Sequence, residues 1–202
     1  SETCNIYIKM YSNLLNLFNS ITVLNTKELE LIRNSFTPLH LSKGEYFLQS
    51  GEINKHLGFI HKGLVRYFVY KDDEESTFEF TKEGEFIADY QSFNTKTESL
   101  QNIQAIEDCE LLIISYDAVQ KIFNSTTNGN LIGRKIIEHR FGIMVNQLLA
   151  VYMQNNEERY QNFIKYYSDL SQRIPQYLIA SYVGVKPESL SRIRRRFTNK
   201  IS

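Results

Sequence analysis

The residues of this chain whose types best suit specific chemistry lie near its C-terminal end. Glu188, Ser189 and Arg192 precede three consecutive arginines, Arg194, Arg195 and Arg196. A guanidinium group pairs through two hydrogen bonds with a phosphate or with O6 and N7 of guanine, and a carboxylate accepts a hydrogen bond from the N4 amino group of cytosine. These residue types therefore indicate contact with a polyanion, with a solvated basic helix face as the alternative.

The net charge of the chain is zero, but the charge is unevenly distributed. From residue 172 onward seven basic residues accompany one acidic residue, a net charge of +6, so the rest of the chain carries −6. The densest acidic run is the Asp-Asp-Glu-Glu sequence of residues 72–75. Such an asymmetry is expected when only one end of a protein meets a polyanion.

The stretch "IASYVGVKPESLSRIRRRF", residues 179–197, has the spacing of two helices joined by a tight turn. Its apolar slots would form a shared core, and they are Ile179, Val183, Val185, Leu190 and Ile193. Ala180 allows the helices to cross closely, Gly184 suits the turn, and Pro187 suits the first turn of the second helix. The pattern predicts a helix-turn-helix.

The second helix of this unit would separate an apolar face from a polar one. Leu190, Ile193 and Phe197 share one side, and the opposite side carries Glu188, Ser191, Arg192 and Arg195. A recognition helix places base-reading groups on such an outward face, near its N-terminus. Alternatively, Glu188 and Arg192 form an ordinary surface pair four residues apart.

Residues 39–116 contain several short segments rich in β-branched and aromatic residues, punctuated by glycines. The segments "LGFIHKG", "LVRYFVY", "STFEFTK" and "ELLIISY" predict strands of a sandwich or a barrel-like roll. The preceding residues 7–36 read as helical, and Thr26 is a plausible N-cap of the second helical segment. We therefore expect helices that flank a β-rich domain.

A longer helix is predicted over residues 130–154. Its apolar residues recur at alternating steps of four and three, and they are Ile137, Phe141, Met144, Leu148 and Val151. This spacing suits a seam between paired helices, although a helix packed on its own β domain would also produce it. Gly133 and Gly142 weaken a helix, so a packing gain should compensate. The polar sequence "QNNEER", residues 154–159, predicts a domain boundary.

Several quoted motifs resemble those of the Crp/Fnr superfamily of transcription regulators. "PQYLIASYVGVKPESLSRIRRRF" resembles the DNA-binding module, and "LSKGEYFLQSGEINKHLGFIHKGLVRYFV" resembles the early β-roll strands. "EGEFIADYQSF" is similar to the start of the ligand cassette, and "IQAIEDCELLIISY" to the closing strands. The resemblance extends through nearly the whole chain.

The resemblance implies an α+β fold with three parts. These are an N-terminal jelly-roll type β-roll with flanking helices, like a cyclic-nucleotide-binding domain (1–128), a long dimerisation helix (129–154) and a C-terminal winged helix-turn-helix (155–202). A homodimer would bind double-stranded DNA at a pseudo-palindromic site, in the cytoplasm, with RNA polymerase left open as a further partner. Glu188, Ser189 and Arg192 match the family's base-contacting residues. Lys186, Arg194, Arg195 and Arg196 would contact phosphate, although Lys186 replaces the usual N-capping Thr or Ser.

The ligand cassette departs from the family pattern. Gly84 and Glu85 match its beginning, but Glu98 stands where the phosphate-clamping arginine is expected, before Ser99. No arginine occurs between Arg66 and Arg134, and Lys96 would be a weak substitute. We therefore expect no useful affinity for cyclic AMP or cyclic GMP. Two alternatives then remain open: the β-roll binds an unrecognised ligand, or it is only a scaffold that holds the dimer.

Other function classes lack the residues they need. Two distant cysteines, Cys4 and Cys109, predict plain reduced thiols and cannot hold an iron–sulfur cluster. The four histidines, His40, His56, His61 and His139, show no pairing that would indicate a haem or a metal-dependent enzyme. We expect no enzyme, no cofactor, no metal and no membrane segment. A ligand-binding β-roll protein with a vestigial DNA-binding module remains the alternative.

Overall fold

The protein is described by a computed structural model over residues 2–201, with side chains described for residues 8–197. Its helices are α1 (Glu2–Ile21), α2 (Thr26–Ser35), α3 (Tyr90–Thr95), α4 (Tyr116–Ser125), α5 (Gly129–Met153), α6 (Asn156–Tyr166), α7 (Gln176–Val183) and α8 (Pro187–Ile201). Its strands are β1 (Thr37–Leu41), β2 (Tyr46–Leu48), β3 (His56–Lys62), β4 (Val65–Lys71), β5 (Glu74–Thr81), β6 (Phe86–Ile87), β7 (Asn102–Ala105) and β8 (Cys109–Ser115).

The described chain divides into two compact units. The first contains the residues up to Tyr67 together with Phe80–Arg140. The second contains Phe68–Glu79 and the residues from Phe141 onward, so the tip of the β4–β5 hairpin groups with the C-terminal helices.

The strands form two four-stranded sheets, in the orders β1-β8-β3-β6 and β2-β7-β4-β5. The four segments predicted as strands are β3, β4, β5 and β8. Strand β8 pairs antiparallel with both β1 and β3, and this register places Phe59 opposite Leu112. The result is the jelly-roll type of β-roll that we expected.

The core of the first unit lies between the β1-β8-β3-β6 sheet and helices α1, α2 and α4. Phe59 and Leu112 project from the sheet and are essentially fully buried. The ring of Phe86 packs 5.3 Å from that of Phe59 and 6.1 Å from that of Phe18 of α1 (centroid distances). Aromatic side chains of this size contribute much of the apolar burial that stabilises a small domain.

The N-cap of α2 is Asn25, so the prediction of Thr26 is wrong. The side chain of Asn25 accepts a hydrogen bond from the backbone N–H of Glu28 at 3.0 Å, and the Glu28 carboxylate accepts one from the N–H of Asn25 at 2.9 Å. This reciprocal capping box satisfies two helix-end N–H groups, whereas Thr26 already lies inside the helix. The second carboxylate oxygen of Glu28 accepts a bond from Thr127 N–H at 2.8 Å.

Glu28→Gln should destabilise the protein at neutral pH but not in acid. The N–H groups of Asn25 and then of Thr127 hold the pKa of Glu28 below its ordinary value. A lowered folded-state pKa contributes stability above the unfolded-state pKa, and that stability is lost as the pH falls through the folded value. The melting temperatures of the native protein and the variant, measured from neutral to strongly acidic pH, should therefore converge in acid. A constant difference at every pH would contradict a role for the Glu28 charge.

Helix α5 leaves most of its apolar stripe uncovered. Phe141, Met144, Leu148 and Val151 are 56–61% exposed, whereas Ile137, nearer the start of the helix, is partly buried. Gly133 has the expected packing reason, because a Cβ there would lie 2.6 Å from the Phe123 ring, but a Cβ at Gly142 would meet nothing within 4 Å.

Helix α6 begins within the polar sequence of residues 154–159. Asn155 caps this helix and forms a capping box with Glu158, so residues 156–159 are its first turn. The domain boundary predicted at this sequence stays a prediction. The expected wing is not observed, since β8 is the last strand within residues 2–201 and residues 167–175 consist of turns and irregular backbone.

None of the helices within residues 2–201 has both the length and the apolar character that a membrane span requires. Among the described side chains, no three His, Cys, Asp or Glu residues lie close enough together to hold a metal ion. Cys109 is buried, which raises the pKa of its thiol to about 11. The prediction for Cys4 concerns a side chain outside the described part of the chain.

Candidate functional site

The turn between α7 and α8 has the geometry of a helix-turn-helix. Gly184 ends α7 in the left-handed conformation, with φ of +83°, and its N–H donates to the carbonyl of Ala180 at 2.9 Å. Helix α8 then begins at Pro187, whose missing N–H costs nothing in a first turn. Arg159 of α6 donates to the carbonyl of Tyr182 at 2.7 Å, which fixes the turn from a third helix.

The predicted apolar slots form the core of this unit. Ile179, Val183, Leu190 and Ile193 are 0–6% exposed, and Ala180 is buried where the helices cross. Val185 differs, because it is only partly buried. Helix α6 closes the core with Phe163, which is fully buried, and with Tyr160, whose ring meets that of Phe197 edge-on at a centroid distance of 5.9 Å.

The opposite face of α8 presents the predicted base-reading residues to solvent. Glu188 and Arg192 are exposed, and Ser189 is partly buried. The Arg192 guanidinium makes two long contacts, 3.4 Å from Nε to the Glu188 carbonyl oxygen and 3.5 Å from Nη2 to the Ser189 hydroxyl. No ion pair joins the Glu188 carboxylate to Arg192 within the described residues. The alternative of a surface pair is therefore not observed.

The four predicted phosphate-contacting residues have different surroundings. Arg195 is exposed and makes no hydrogen bond or ion pair with any described residue. Arg196 forms an ion pair with Glu157 of α6 at 2.6 Å, and Arg194 donates to the Gln176 side chain. Lys186 forms an ion pair with Glu74 of β5. Three of the four cations therefore have partners within their own unit.

A cleft of about 460 Å³ lies beside α8. Arg192 and Arg196 of α8 line it together with Asn155 and Asn156 at the start of α6. Nothing in the helix-turn-helix pattern indicated α6 at this surface. The capping-box residues Asn155 and Glu158 could have indicated this helix from the sequence, because they mark a helix start within the predicted domain boundary.

The residues that the resemblance assigns to a ligand cassette lie in the first unit. Gly84 occupies a turn with φ of +84°, and Glu85 is partly buried. Glu98 is exposed, whereas Ser99 is buried and donates to the Asp89 carboxylate at 2.7 Å. The Ser99 hydroxyl therefore has an internal carboxylate as its hydrogen-bond acceptor.

Asp89 belongs to a buried polar network that the sequence analysis missed. Its other carboxylate oxygen accepts the Ser92 N–H at 3.2 Å and thereby caps α3. Asn54 accepts the Asp89 N–H at 2.7 Å and donates its own N–H to the Ser92 hydroxyl at 2.9 Å. Buried polar groups of this kind are costly unless they are paired, and these four residues pair one another.

Lys96 is held away from a phosphate-binding role. Its ammonium group donates to the Phe93 carbonyl at 2.9 Å and lies 3.9 Å from the centre of the Tyr116 ring. Cation–π contact and the hydrogen bond together fix this charge at the end of α3.

Two of the histidines have environments that disfavour their charged form. His61 is hydrogen-bonded to Asn13 at 3.1 Å, and burial lowers the pKa of both His56 and His61.

Comparison with known proteins agrees with this geometry. Residues 38–126 match the family model of the cyclic nucleotide-binding domain. No curated protein matches the chain by sequence.

Several solved structures share the fold over most of the chain. A protein from Eubacterium rectale assigned to the Crp/Fnr family of transcriptional regulators superposes with a TM-score of 0.67 at 19% identity, covering 91% of this chain and 87% of its own. FixK2 from Bradyrhizobium japonicum gives 0.66 at 16% identity, covering 82% and 85%. The c-di-GMP responsive regulator CLP of Xanthomonas campestris gives 0.63 at 17% identity, covering 87% and 93%. Residues 38–126 thus match the cyclic nucleotide-binding domain family, and the chain as a whole has the fold of the Crp/Fnr transcriptional regulators.

Proposed function

We propose that this protein is a transcription regulator that binds specific DNA sequences as a homodimer. The observation that carries the proposal is the exposed polar face of α8, where Glu188 and Arg192 stand on a helix-turn-helix whose apolar face is buried. The fold shared with Crp/Fnr regulators supports the same function. Double-stranded DNA is the polyanion to which the charge asymmetry of the chain is suited.

In this proposal the residues of α8 divide into two roles. Glu188, Ser189 and Arg192 read base edges in the major groove, and Lys186 and the arginine cluster at 194–196 bind the backbone. Arg195 is available for phosphate as it stands, because it has no partner among the described residues. Arg194, Arg196 and Lys186 would exchange their present partners for phosphate oxygens.

The second copy of the chain would cover α5. An apolar stripe with four residues more than half exposed is unfavourable in water, and its steps of four and three match the seam of a paired helix. A two-fold axis along this seam would present two α8 helices to successive major grooves, about 34 Å apart. We retain residues 1–128, 129–154 and 155–202 as the sensor-like, dimerisation and DNA-binding parts, in a protein that acts in the cytoplasm.

Selection of bound sites from a random DNA pool tests the proposal. We expect a pseudo-palindromic site whose half-sites are centred about 10 base pairs apart, or a multiple of that spacing. Enrichment of a single asymmetric half-site would contradict the homodimer but keep the DNA-binding function. Failure to enrich any sequence would contradict the proposal and favour a β-roll protein with a vestigial helix-turn-helix.

We further propose that cyclic AMP and cyclic GMP do not regulate this protein. Asp89 would face a bound phosphate across Ser99, and Glu98 supplies a second negative charge in place of the family's arginine. These two carboxylates would repel the phosphate of a bound nucleotide, and residues 67–133 contain no arginine that could offset their negative charge. Isothermal titration calorimetry should detect no binding of either nucleotide at micromolar concentrations, with a cyclic-AMP-binding protein as the positive control. Micromolar affinity for either nucleotide would contradict this.

A further inference from the structure

The acidic run of residues 72–75 forms the tip of the β4–β5 hairpin. Asp72 and Asp73 are the two turn residues, with φ of +52° and +60°, and Glu74 begins β5. All four acidic side chains are exposed. Two positive φ angles match the twist that a tight hairpin needs. The turn therefore brings four negative charges together at the tip of the hairpin.

The hairpin is docked on helix α7 of the same unit by hydrogen bonds between the Ser181 side chain and the backbone of β5. The Ser181 hydroxyl accepts the N–H of Thr77 at 2.9 Å and donates to the carbonyl of Glu75 at 2.8 Å. Thr77 is 1% exposed, so the bonds to it are shielded from water. Because both bonds use the backbone of β5, they fix the hairpin itself on α7 and not only one mobile side chain.

Docking brings Glu74 to Lys186, the residue that precedes the first turn of α8. The two side chains form an ion pair while remaining 69% and 67% exposed. Exposed pairs are weak and can be displaced, so a phosphate with a comparable geometry would compete for the same ammonium group. The Lys186 ammonium group makes no second hydrogen bond or ion pair with a described residue.

We propose that the acidic hairpin tip competes with DNA for Lys186 and so restrains binding by the helix-turn-helix. The inference rests on the proposed function, since it concerns the same surface. A carboxylate on Lys186 removes one phosphate contact and one released counterion from the complex. Binding DNA through Lys186 therefore requires the Glu74 contact to open.

Glu74→Gln, which removes the charge and keeps the side-chain size, tests this inference. Fluorescence anisotropy on the selected DNA site should show about two- to fivefold tighter binding, the range expected for an exposed ion pair. The same substitution in a Lys186→Met background should have no effect, because its partner is missing. The matched control is Asp72→Asn with Asp73→Asn, which lowers the tip charge but keeps the Glu74–Lys186 pair. Equal gains with and without Lys186 would overturn the inference and assign the effect to general repulsion.

A second measurement follows the docking directly. The Thr77 amide should exchange slowly with solvent deuterium in the native protein and faster in Ser181→Ala, which loses the bonds that dock the hairpin. Ser181→Ala should then bind DNA more tightly than the native protein, but not in a Lys186→Met background. Unchanged DNA affinity despite the loss of amide protection would overturn the inference. The failure of the proposed function is distinguishable: neither the native protein nor Glu74→Gln would then bind any DNA. Equal binding by both would overturn the hairpin inference alone.

Discussion

Replacing Phe141 and Leu148 together by aspartate is expected to convert the proposed homodimer to monomers. Both side chains lie on the stripe of α5, and both are more than half exposed in the single chain. Burying four carboxylates in an apolar helix seam costs several kcal/mol each unless they are protonated or paired, which exceeds what a two-helix interface of this length supplies. Sedimentation velocity should show a single species of about half the native mass.

The same variant should lose at least about a hundredfold in affinity for a two-half-site DNA, because two linked modules gain far more than one alone. Asn146→Asp is a suitable control, since residue 146 is exposed on the opposite side of α5. It adds a similar charge and should leave both mass and affinity unchanged. A double-aspartate variant that keeps the native mass would contradict the assignment of this stripe to the dimer.

Replacing Arg192 by alanine should weaken binding to the preferred site by about 1 to 3 kcal/mol, roughly five- to 150-fold, and relax selection at one base pair of each half-site. The reason is that the Arg192 guanidinium has only two long contacts within the protein, to the Glu188 carbonyl and the Ser189 hydroxyl. It can therefore bond a guanine edge without losing a strong internal partner. Anisotropy titrations on the selected site and on single-base variants measure both effects.

Arg195→Ala is the matched comparison for Arg192→Ala. Both side chains are exposed on α8, but Arg195 is assigned to phosphate, so its loss should weaken all sequences similarly and lower the salt dependence by about one ion. An Arg192→Ala protein with an unchanged ranking of DNA sequences would contradict the base-reading role. The base-reading role would also be contradicted if Arg192→Ala changed only the salt dependence of DNA binding.

Much of the helix-turn-helix could be predicted because its determinants are local in sequence. Ile179, Val183, Leu190 and Ile193 lie within 15 residues of one another, and helical periodicity alone places them on facing sides. Predictions at element ends were less accurate. Thr26 and its neighbour Asn25 are both good capping residues, and only the reciprocal bond with Glu28 decides between them.

The predicted ligand cassette separates what could be predicted from what could not. The absence of an arginine is visible in the sequence, but the internal partner of Ser99 is not. The sequence predicts that the arginine is missing, because Glu98 stands where the resemblance places it. The bond between Ser99 and Asp89 could not be predicted, since it depends on how α3 folds back against the strands. Asn54 joins the same network from a position 35 residues before Asp89, a separation that no local pattern specifies.

The amino-acid sequence by itself determined four of the strands, β3, β4, β5 and β8, the helical character of residues 7–36 and of most of α5, and the place of the two-helix core. These follow from residue type and short-range spacing, which set backbone preference and the buried face of each element. Only the tertiary structure decided the partners of the charged groups. Lys186 meets Glu74 across 112 residues, and Arg196 meets Glu157 across 39. Exposed ion pairs are weak and non-directional, so chain folding, and not sequence pattern, selects them.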